Sequence, residues 1–140
     1  MNSRCLAFVN FAWVIALATT AVSADGSSLQ KKPADKVLTV GKEGIKLKGK
    51  LTEDAKNVPY AVRMEEGKTY EIRLTSKDFD AYLFVKDDKG KQLDYDDDSG
   101  GGTNSLLEFR APADGVFVIL ATSLGMGGAG AYELSVMRKP

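Results

Sequence analysis

Alternation of apolar and polar side chains is the feature of this sequence that most restricts its fold. From Val37 onward apolar residues recur with a period of two, as where Ile45, Leu47 and Leu51 are interleaved with lysines. Turns rich in Gly, Asp and Pro, such as residues 111–115, separate these short segments. No comparable helical period is present. The pattern therefore predicts an all-β protein, an antiparallel β-sandwich of about seven to nine strands.

Two pairs of segments refine this prediction. Alternating residues 60–64 and 70–74 flank a Glu-Glu-Gly-Lys turn at residues 65–68, which predicts a β-hairpin. Residues 79–85 and 116–121 are more continuously apolar, and we interpret the second of these runs as a buried strand.

The beginning of the chain has a different composition. Arg4 precedes an apolar run over residues 5–18, and Val22-Ser23-Ala24 supplies the small residues of a cleavage site. These features predict a secretory signal peptide at residues 1–24, since the apolar run is borderline for a membrane span and is interrupted by Asn10. A membrane anchor is the alternative.

Cleavage after Ala24 divides the chain into three parts. Residues 25–36 are polar and contain Pro33, which predicts a flexible leader, and residues 37–140 form the predicted β-sandwich domain. The mature protein is then expected to be secreted or periplasmic, with no membrane span after signal cleavage.

Composition excludes several classes of function. The chain has no His, which removes imidazole acid–base catalysis, Ser-His and Cys-His couples and His-bearing zinc sites. Its 19 basic and 19 acidic residues give no net positive charge to attract nucleic acid. Cys5 is the single cysteine and lies in the predicted signal peptide, so the mature domain has no disulfide. We expect neither an enzyme nor a nucleic-acid-binding protein.

Eight aspartates fall within the 21 residues from 78 to 98. Crowded carboxylates oppose one another's ionisation unless a cation joins them, and Ca²⁺ is the hard cation that Asp, Asn and backbone oxygens bind. Calcium is therefore the candidate cofactor. The candidate metal ligands are Asp78, Asp80, Asp94, Asp96, Asp97, Asp98 and Asn104.

An EF-hand does not account for this cluster. Residues 94–98 match the first ligand positions of such a loop, but Ser99 stands at the required Gly and Ser105 at the bidentate Glu. The alternative interpretation is that the carboxylates occupy solvated turns, where Asp80 or Asp98 would cap backbone amides.

Two further surface features are candidate contacts. Tyr95 lies beside the acidic loop and is the candidate ligand-binding residue, whereas the other tyrosines of the domain are mostly explained as inward or cross-strand packing residues. Lys46, Lys48 and Lys50 line one side of a strand. Docking to an anionic polymer is one interpretation of this stripe, and a solvated edge strand is the favoured one.

Four blocks of the sequence resemble a known family. They are residues 74–83 (Leu-Thr-Ser-Lys-Asp-Phe-Asp-Ala-Tyr-Leu), 96–105 (Asp-Asp-Asp-Ser-Gly-Gly-Gly-Thr-Asn-Ser), 111–115 (Ala-Pro-Ala-Asp-Gly) and 130–134 (Gly-Ala-Tyr-Glu-Leu). In this order they resemble the bacterial pre-peptidase C-terminal domain over about residues 45–137. The resemblance implies a jelly-roll-like β-sandwich related to collagen-binding modules of collagenases. It implies a noncatalytic accessory domain of exported proteins, although no peptidase domain is present in this chain.

Three functions follow from these observations. The favoured one is an exported binding or adhesion module for an extracellular protein or polysaccharide, with calcium as a candidate stabilising ion. The second is a trans-acting partner or inhibitor of a separately encoded secreted peptidase. The third, a small hydrolase that uses the aspartate cluster, has little support because the mature chain lacks Trp and offers little stacking surface for a saccharide.

Overall fold

The computed structural model describes residues 36–140, so the predicted signal peptide and all but the last residue of the predicted leader lie outside the described residues. The described part contains nine strands and one short 3₁₀ turn, and none of its helical structure is long and apolar enough to cross a membrane. The strands are β1 (Leu38–Thr39), β2 (Ile45–Leu51), β3 (Val58–Met64), β4 (Thr69–Ser76), β5 (Ala81–Lys86), β6 (Gln92–Asp96), β7 (Ser105–Arg110), β8 (Gly115–Ser123) and β9 (Gly130–Arg138). The 3₁₀ turn is Leu124–Met126.

The strands form two sheets. A five-stranded sheet has the order β1-β3-β8-β5-β6, and a four-stranded sheet has the order β2-β9-β4-β7. The pairs are antiparallel except for the two-residue β1, which runs parallel to β3. The predicted all-β sandwich is confirmed, with this one parallel pair as a local departure.

The predicted hairpin at residues 60–74 is wrong. The turn itself forms, with Gly67 at φ +73° and the Lys68 amide donating to the Glu65 carbonyl. However, β3 pairs with β1 and β8, whereas β4 pairs with β7 and β9 in the other sheet. A tight turn fixes the reversal of the chain but not the partner of either strand, and here the chain crosses from one layer to the other.

A second crossing connection lies beside this turn. The segment between β7 and β8 also changes sheets, and the Gly67 amide donates to the Ala111 carbonyl at 2.9 Å. The Ala111 amide in turn donates to the Lys68 carbonyl at 3.0 Å, and the Glu66 amide donates to Asp114 Oδ1 at 2.7 Å. The two crossings therefore hold each other in place at one end of the sandwich.

The core consists of the inward-facing residues of the two sheets. The rings of Phe109 on β7 and Phe117 on β8 meet edge to face across the layers, with centroids 5.4 Å apart. Each fully buried aliphatic or aromatic side chain contributes roughly 1.5–3 kcal/mol through removal of apolar surface from water. The largest fully buried apolar side chains are Leu51, Val62, Met64, Tyr70, Ile72, Leu74, Leu83, Val85, Ile119, Leu134 and Val136.

A pair of tyrosines provides a polar link within this core. The hydroxyl oxygens of Tyr60 on β3 and Tyr132 on β9 lie 2.6 Å apart and join the two sheets. Gly49 on β2 makes room for the ring, since a Cβ at this position would lie 2.3 Å from Cζ of Tyr132. Burial, followed by the hydrogen bond to Tyr60, raises the pKa of Tyr132 far above its ordinary value.

We expect Tyr132→Phe to lower the free energy of unfolding by about 1 kcal/mol, because one partly buried hydrogen bond is lost. The raised pKa means that folded Tyr132 holds its proton more tightly than unfolded Tyr132, whose ordinary pKa is 10.0. The contribution of Tyr132 protonation to the free energy of unfolding is complete below pH 10.0 and declines as the pH rises above that value. Urea unfolding between pH 7 and 11 measures both effects.

The matched control for this prediction is Tyr95→Phe, since the Tyr95 side chain is exposed. This change is expected to leave the free energy of unfolding within about 0.5 kcal/mol of the unchanged protein. A Tyr132→Phe variant with the same stability and the same alkaline decline as the unchanged protein would contradict the assigned role of the tyrosine pair.

Candidate functional site

The outer face of the four-stranded sheet is charged. Strand register places Lys48 of β2 opposite Glu133 of β9, and Arg73 of β4 in the neighbouring row. The lysine stripe belongs to β2, which is an edge strand of this sheet as the favoured sequence interpretation expects. Charged side chains on an exposed edge keep it solvated and discourage pairing with another chain.

The outer face of the five-stranded sheet carries an apolar row instead. Register aligns Pro59 of β3, Leu120 of β8, Phe84 of β5 and Tyr95 of β6 in one row across four strands. Three of these side chains are half-buried, and Tyr95 is 56% exposed. We call this outer surface, with the adjacent Tyr82 and Val118, the apolar face. An apolar row on the solvent side of a sheet has no role in the core and is typical of an interaction surface.

Three aromatic rings form a cluster at the β5–β6 end of the apolar face. The centroids of Tyr82 and Phe84 are 4.4 Å apart at an interplanar angle of 66°. Tyr95 lies 6.1 Å from Tyr82 and 6.4 Å from Phe84. Two of these pairs are edge-to-face and the third is tilted, and such contacts hold the rings in place. We call these three residues the aromatic cluster.

The surroundings of the aromatic cluster are electrostatically negative. Partial burial, then Tyr95, then the carboxylate of Asp97 raise the pKa of Tyr82 above its ordinary value. The Asp97 carboxylate is therefore one of the neighbours that act on the Tyr82 phenol.

An open groove of about 750 Å³ continues the apolar face away from the aromatic cluster. Its floor includes Pro59, Val118 and Leu120, and its walls are residues 53–57 and the turn at residues 86–90. The side chain of Thr122, on the same face of β8, is covered by the first wall, since its hydroxyl donates to the Lys56 carbonyl at 2.9 Å. Groove and aromatic cluster thus lie on the same side of one sheet.

Asp96 organises the acidic loop through backbone and hydroxyl donors. Its Oδ2 accepts hydrogen bonds from the amides of Ser99 and Leu106, at 3.1 and 2.8 Å, and its Oδ1 accepts from the Ser99 hydroxyl at 2.5 Å. Because Asp96 ends β6 and Leu106 belongs to β7, this carboxylate links the edges of the two sheets. The residue predicted as a metal ligand caps the loop.

Most of the other predicted metal ligands also bind nearby backbone groups. Asp78 Oδ2 accepts from the Ala131 amide at 2.8 Å, Asp94 Oδ1 from the Tyr95 amide and Asp97 Oδ1 from the Asp98 amide. Carboxylates therefore cap backbone amides, as the alternative interpretation expects, but the capping residues are these three and Asp96. The side chains of Asp80 and Asp98, which were expected to cap, make no hydrogen bond within residues 36–140.

The seven predicted ligands do not form one cluster. Asn104 Oδ1 accepts from the Ser76 amide at 3.1 Å, while its Nδ2 donates to the Gly101 carbonyl at 3.2 Å. Within residues 36–140 no three Asp or Glu side chains are grouped so that they would hold a metal ion. Calcium binding by these residues stays a prediction that this arrangement does not favour.

We expect Asp96→Ala to lower the free energy of unfolding by about 2 kcal/mol, because two amides and one hydroxyl lose their acceptor. The loss is expected to be the same in millimolar calcium and in chelator, since it arises from hydrogen bonding. Thermal unfolding under both conditions measures it. Asp98→Ala is the control and is expected to change stability by less than about 0.5 kcal/mol. A calcium-dependent rise in melting temperature that vanishes in Asp96→Ala would instead support the predicted ion site.

Residues 36–140 thus form a β-sandwich with two unlike outer faces, of which one is charged and the other carries an apolar row. Residues 60–123 match the family model of the bacterial pre-peptidase C-terminal domain. The match runs from β3 to β8 and confirms the resemblance carried by the first three sequence blocks. The fourth block, at residues 130–134, lies beyond the matched range.

Two solved structures share the fold. The pre-peptidase C-terminal domain of a collagenase from Bacillus anthracis is 18% identical, with a TM-score of 0.58 over 75% of this chain and 98% of that chain. PliG of Aeromonas hydrophila, a periplasmic lysozyme inhibitor of g-type lysozyme, is also 18% identical, with a TM-score of 0.56 over 74% of this chain and 98% of that chain. No match was found among curated proteins.

Sequence interpretation identified only one residue of the apolar face. Tyr95 was predicted as a ligand contact, and the structure places it at the exposed end of the apolar row. Tyr82, Phe84 and Leu120 were missed because the runs that contain them were assigned to strand and core packing. The available signal was the continuity of those runs, since a strand of a two-layer sandwich has only one face in the core.

Proposed function

We propose that this protein is an exported, noncatalytic binding module that recognises an extracellular or periplasmic protein through its apolar face. The observation that carries the proposal is the contrast between the two outer surfaces. The four-stranded sheet exposes lysines, arginines and glutamates, whereas the five-stranded sheet exposes the row that ends in Tyr95. Stable protein interfaces are built around such aromatic anchors inside a polar rim.

The match of residues 60–123 to the pre-peptidase C-terminal family model supports a noncatalytic accessory role. The predicted signal peptide and the periplasmic inhibitor with the same fold support action outside the cytoplasm. A protein partner is favoured over a polysaccharide, because the apolar face combines its rings with aliphatic side chains such as Leu120 and Val118. Calcium has no part in this proposal.

The second candidate function is inhibition of a separately encoded secreted enzyme. The specific observation that favours it is the similarity to PliG, whose chain is covered almost completely by the present fold. A β-sandwich of this size is thus able to act as an enzyme inhibitor without a further domain in the matched chain. The sequence favours a peptidase as the target, and the similarity to PliG favours a lysozyme.

We expect Tyr95→Ala to weaken binding to the partner at least tenfold, since truncation of an aromatic hot-spot residue typically costs about 2 kcal/mol or more. The mature chain, residues 25–140, would first be used to isolate a partner from culture fluid and periplasmic extract. Biolayer interferometry with the purified partner then gives the dissociation constants. Lys48→Ala, on the opposite outer surface, is the control and is expected to bind unchanged.

The opposite ranking, with Lys48→Ala weakened and Tyr95→Ala unchanged, would contradict the proposed face. The inhibitor hypothesis has its own readout on the same partner. If the partner is a peptidase or lysozyme, an equimolar amount of this protein is expected to lower its activity, and Tyr95→Ala is expected to relieve the inhibition. A bound enzyme that keeps full activity would contradict the inhibitor hypothesis. It would leave the proposed binding function in place.

A further inference from the structure

We propose that the occupant of the apolar face is a protein segment that places an Arg or Lys side chain against the aromatic cluster and an apolar side chain about four residues away in the groove. This inference rests on the proposed function, because it names the chemistry of the partner that the same face binds. It is carried by the ring geometry, the charge around the rings and the dimensions of the sheet.

The rings supply the first half of the cation site. Tyr95 is 56% exposed, and Tyr82 and Phe84 lie beside it on the neighbouring strand at centroid distances of 6.1 and 6.4 Å. A positioned aromatic face attracts a guanidinium or ammonium group that lies within about 6 Å of the ring centroid. An exposed ring that is fixed by two neighbours offers such a face with little loss of side-chain freedom on binding.

The charge around the rings supplies the second half. Residues 87–98, which comprise β6 and its flanking turns, contain six aspartates and only two lysines. The ion pairs formed between described residues are Glu65 with Arg138, Glu71 with Arg73 and Glu108 with Lys139, so none of them neutralises these aspartates. Burial, then Tyr95, then the Asp97 carboxylate raise the pKa of Tyr82, so this carboxylate is a neighbour of the phenol. A cation at the cluster gains from both the rings and this carboxylate.

The dimensions of the sheet fix the spacing between the two contacts. The row from Pro59 to Tyr95 crosses four strands, which is about 14 Å at a strand spacing of about 4.8 Å. An extended segment advances about 3.3 Å per residue, so about four residues separate its two ends. One end meets the far end of the groove floor at Pro59, and the other meets Tyr95 of the aromatic cluster.

Other occupants differ in a measurable property. A neutral saccharide would stack on Tyr95 but would gain nothing from the aspartates. A second copy of this chain would place a lysine of its own β2 stripe at the rings and would show concentration-dependent association. An acidic segment would be repelled by residues 87–98.

The test is selection of random 12-residue peptides on the immobilised mature chain, residues 25–140. We expect the enriched peptides to share an Arg or Lys with an apolar residue about four positions away. For the best synthetic peptide, replacement of the cation by citrulline or norleucine is expected to weaken binding at least tenfold in fluorescence polarisation. Tyr95→Ala is expected to abolish binding, and Asp97→Asn to weaken it about three- to tenfold. Asp97→Asn keeps the side-chain oxygen that accepts the Asp98 amide.

The control for Asp97→Asn is Glu133→Gln, which removes one charge from the opposite outer surface and is expected to bind unchanged. Enriched peptides without a cation, equal binding after citrulline replacement, or no enrichment at all would overturn the cationic partner. If a neutral peptide or a glycan binds and Tyr95→Ala weakens that binding, the proposal of a cationic partner is wrong but the apolar face is still the binding surface. If peptides or glycans bind equally well to the Tyr95→Ala variant, both proposals are wrong. Concentration-dependent dimerisation that Tyr95→Ala abolishes, measured by sedimentation, would overturn the separate partner in favour of a second copy.

Discussion

A two-layer sandwich buries only one face of each of its sheets, and the rest of this structure depends on that constraint. Every strand must place alternate residues in the single core, where Ile72, Leu83 and Ile119 are fully buried. The other residues of the same strand face outward and have no third layer to cover them. On the four-stranded sheet many of these outward-facing residues are charged and are suited to contact with water. The apolar row from Pro59 to Tyr95 is not suited to it, and this is why we assign the five-stranded sheet to a partner.

The same constraint explains how far sequence analysis reaches. Clean alternation located β2, β3 and β4, because a period of two marks strands with one solvated side. In the runs at residues 79–85 and 116–121 the sequence does not separate core residues from surface residues, since continuous apolar character does not tell which residues point inward. The local sequence pattern does not predict which strands pair with each other in a sheet. The Glu65–Lys68 turn is the same whether its strands pair with each other or separate into two layers, so the hairpin prediction failed.

The acidic loop shows a second limit of sequence reasoning. Eight aspartates in 21 residues satisfy the composition of a calcium site, but composition does not reveal which acceptors are already used. Asp96 receives two backbone amides and one hydroxyl, and it links β6 to β7. Asp78 likewise accepts a hydrogen bond from the Ala131 amide at the start of β9. These carboxylates hold the rim of the sandwich, while Asp97 contributes its charge to the neighbouring aromatic cluster.

The central claim is that a partner covers the outer face of the five-stranded sheet. Amide hydrogen exchange of the mature chain, with and without its purified partner, tests it most directly. The account predicts slower exchange on binding in β6, in the turn at residues 86–90 and in residues 53–57, which border the apolar face. The amides of the β2 edge are predicted to exchange at unchanged rates. Slower exchange confined to β2 and its neighbours in the four-stranded sheet would contradict the account.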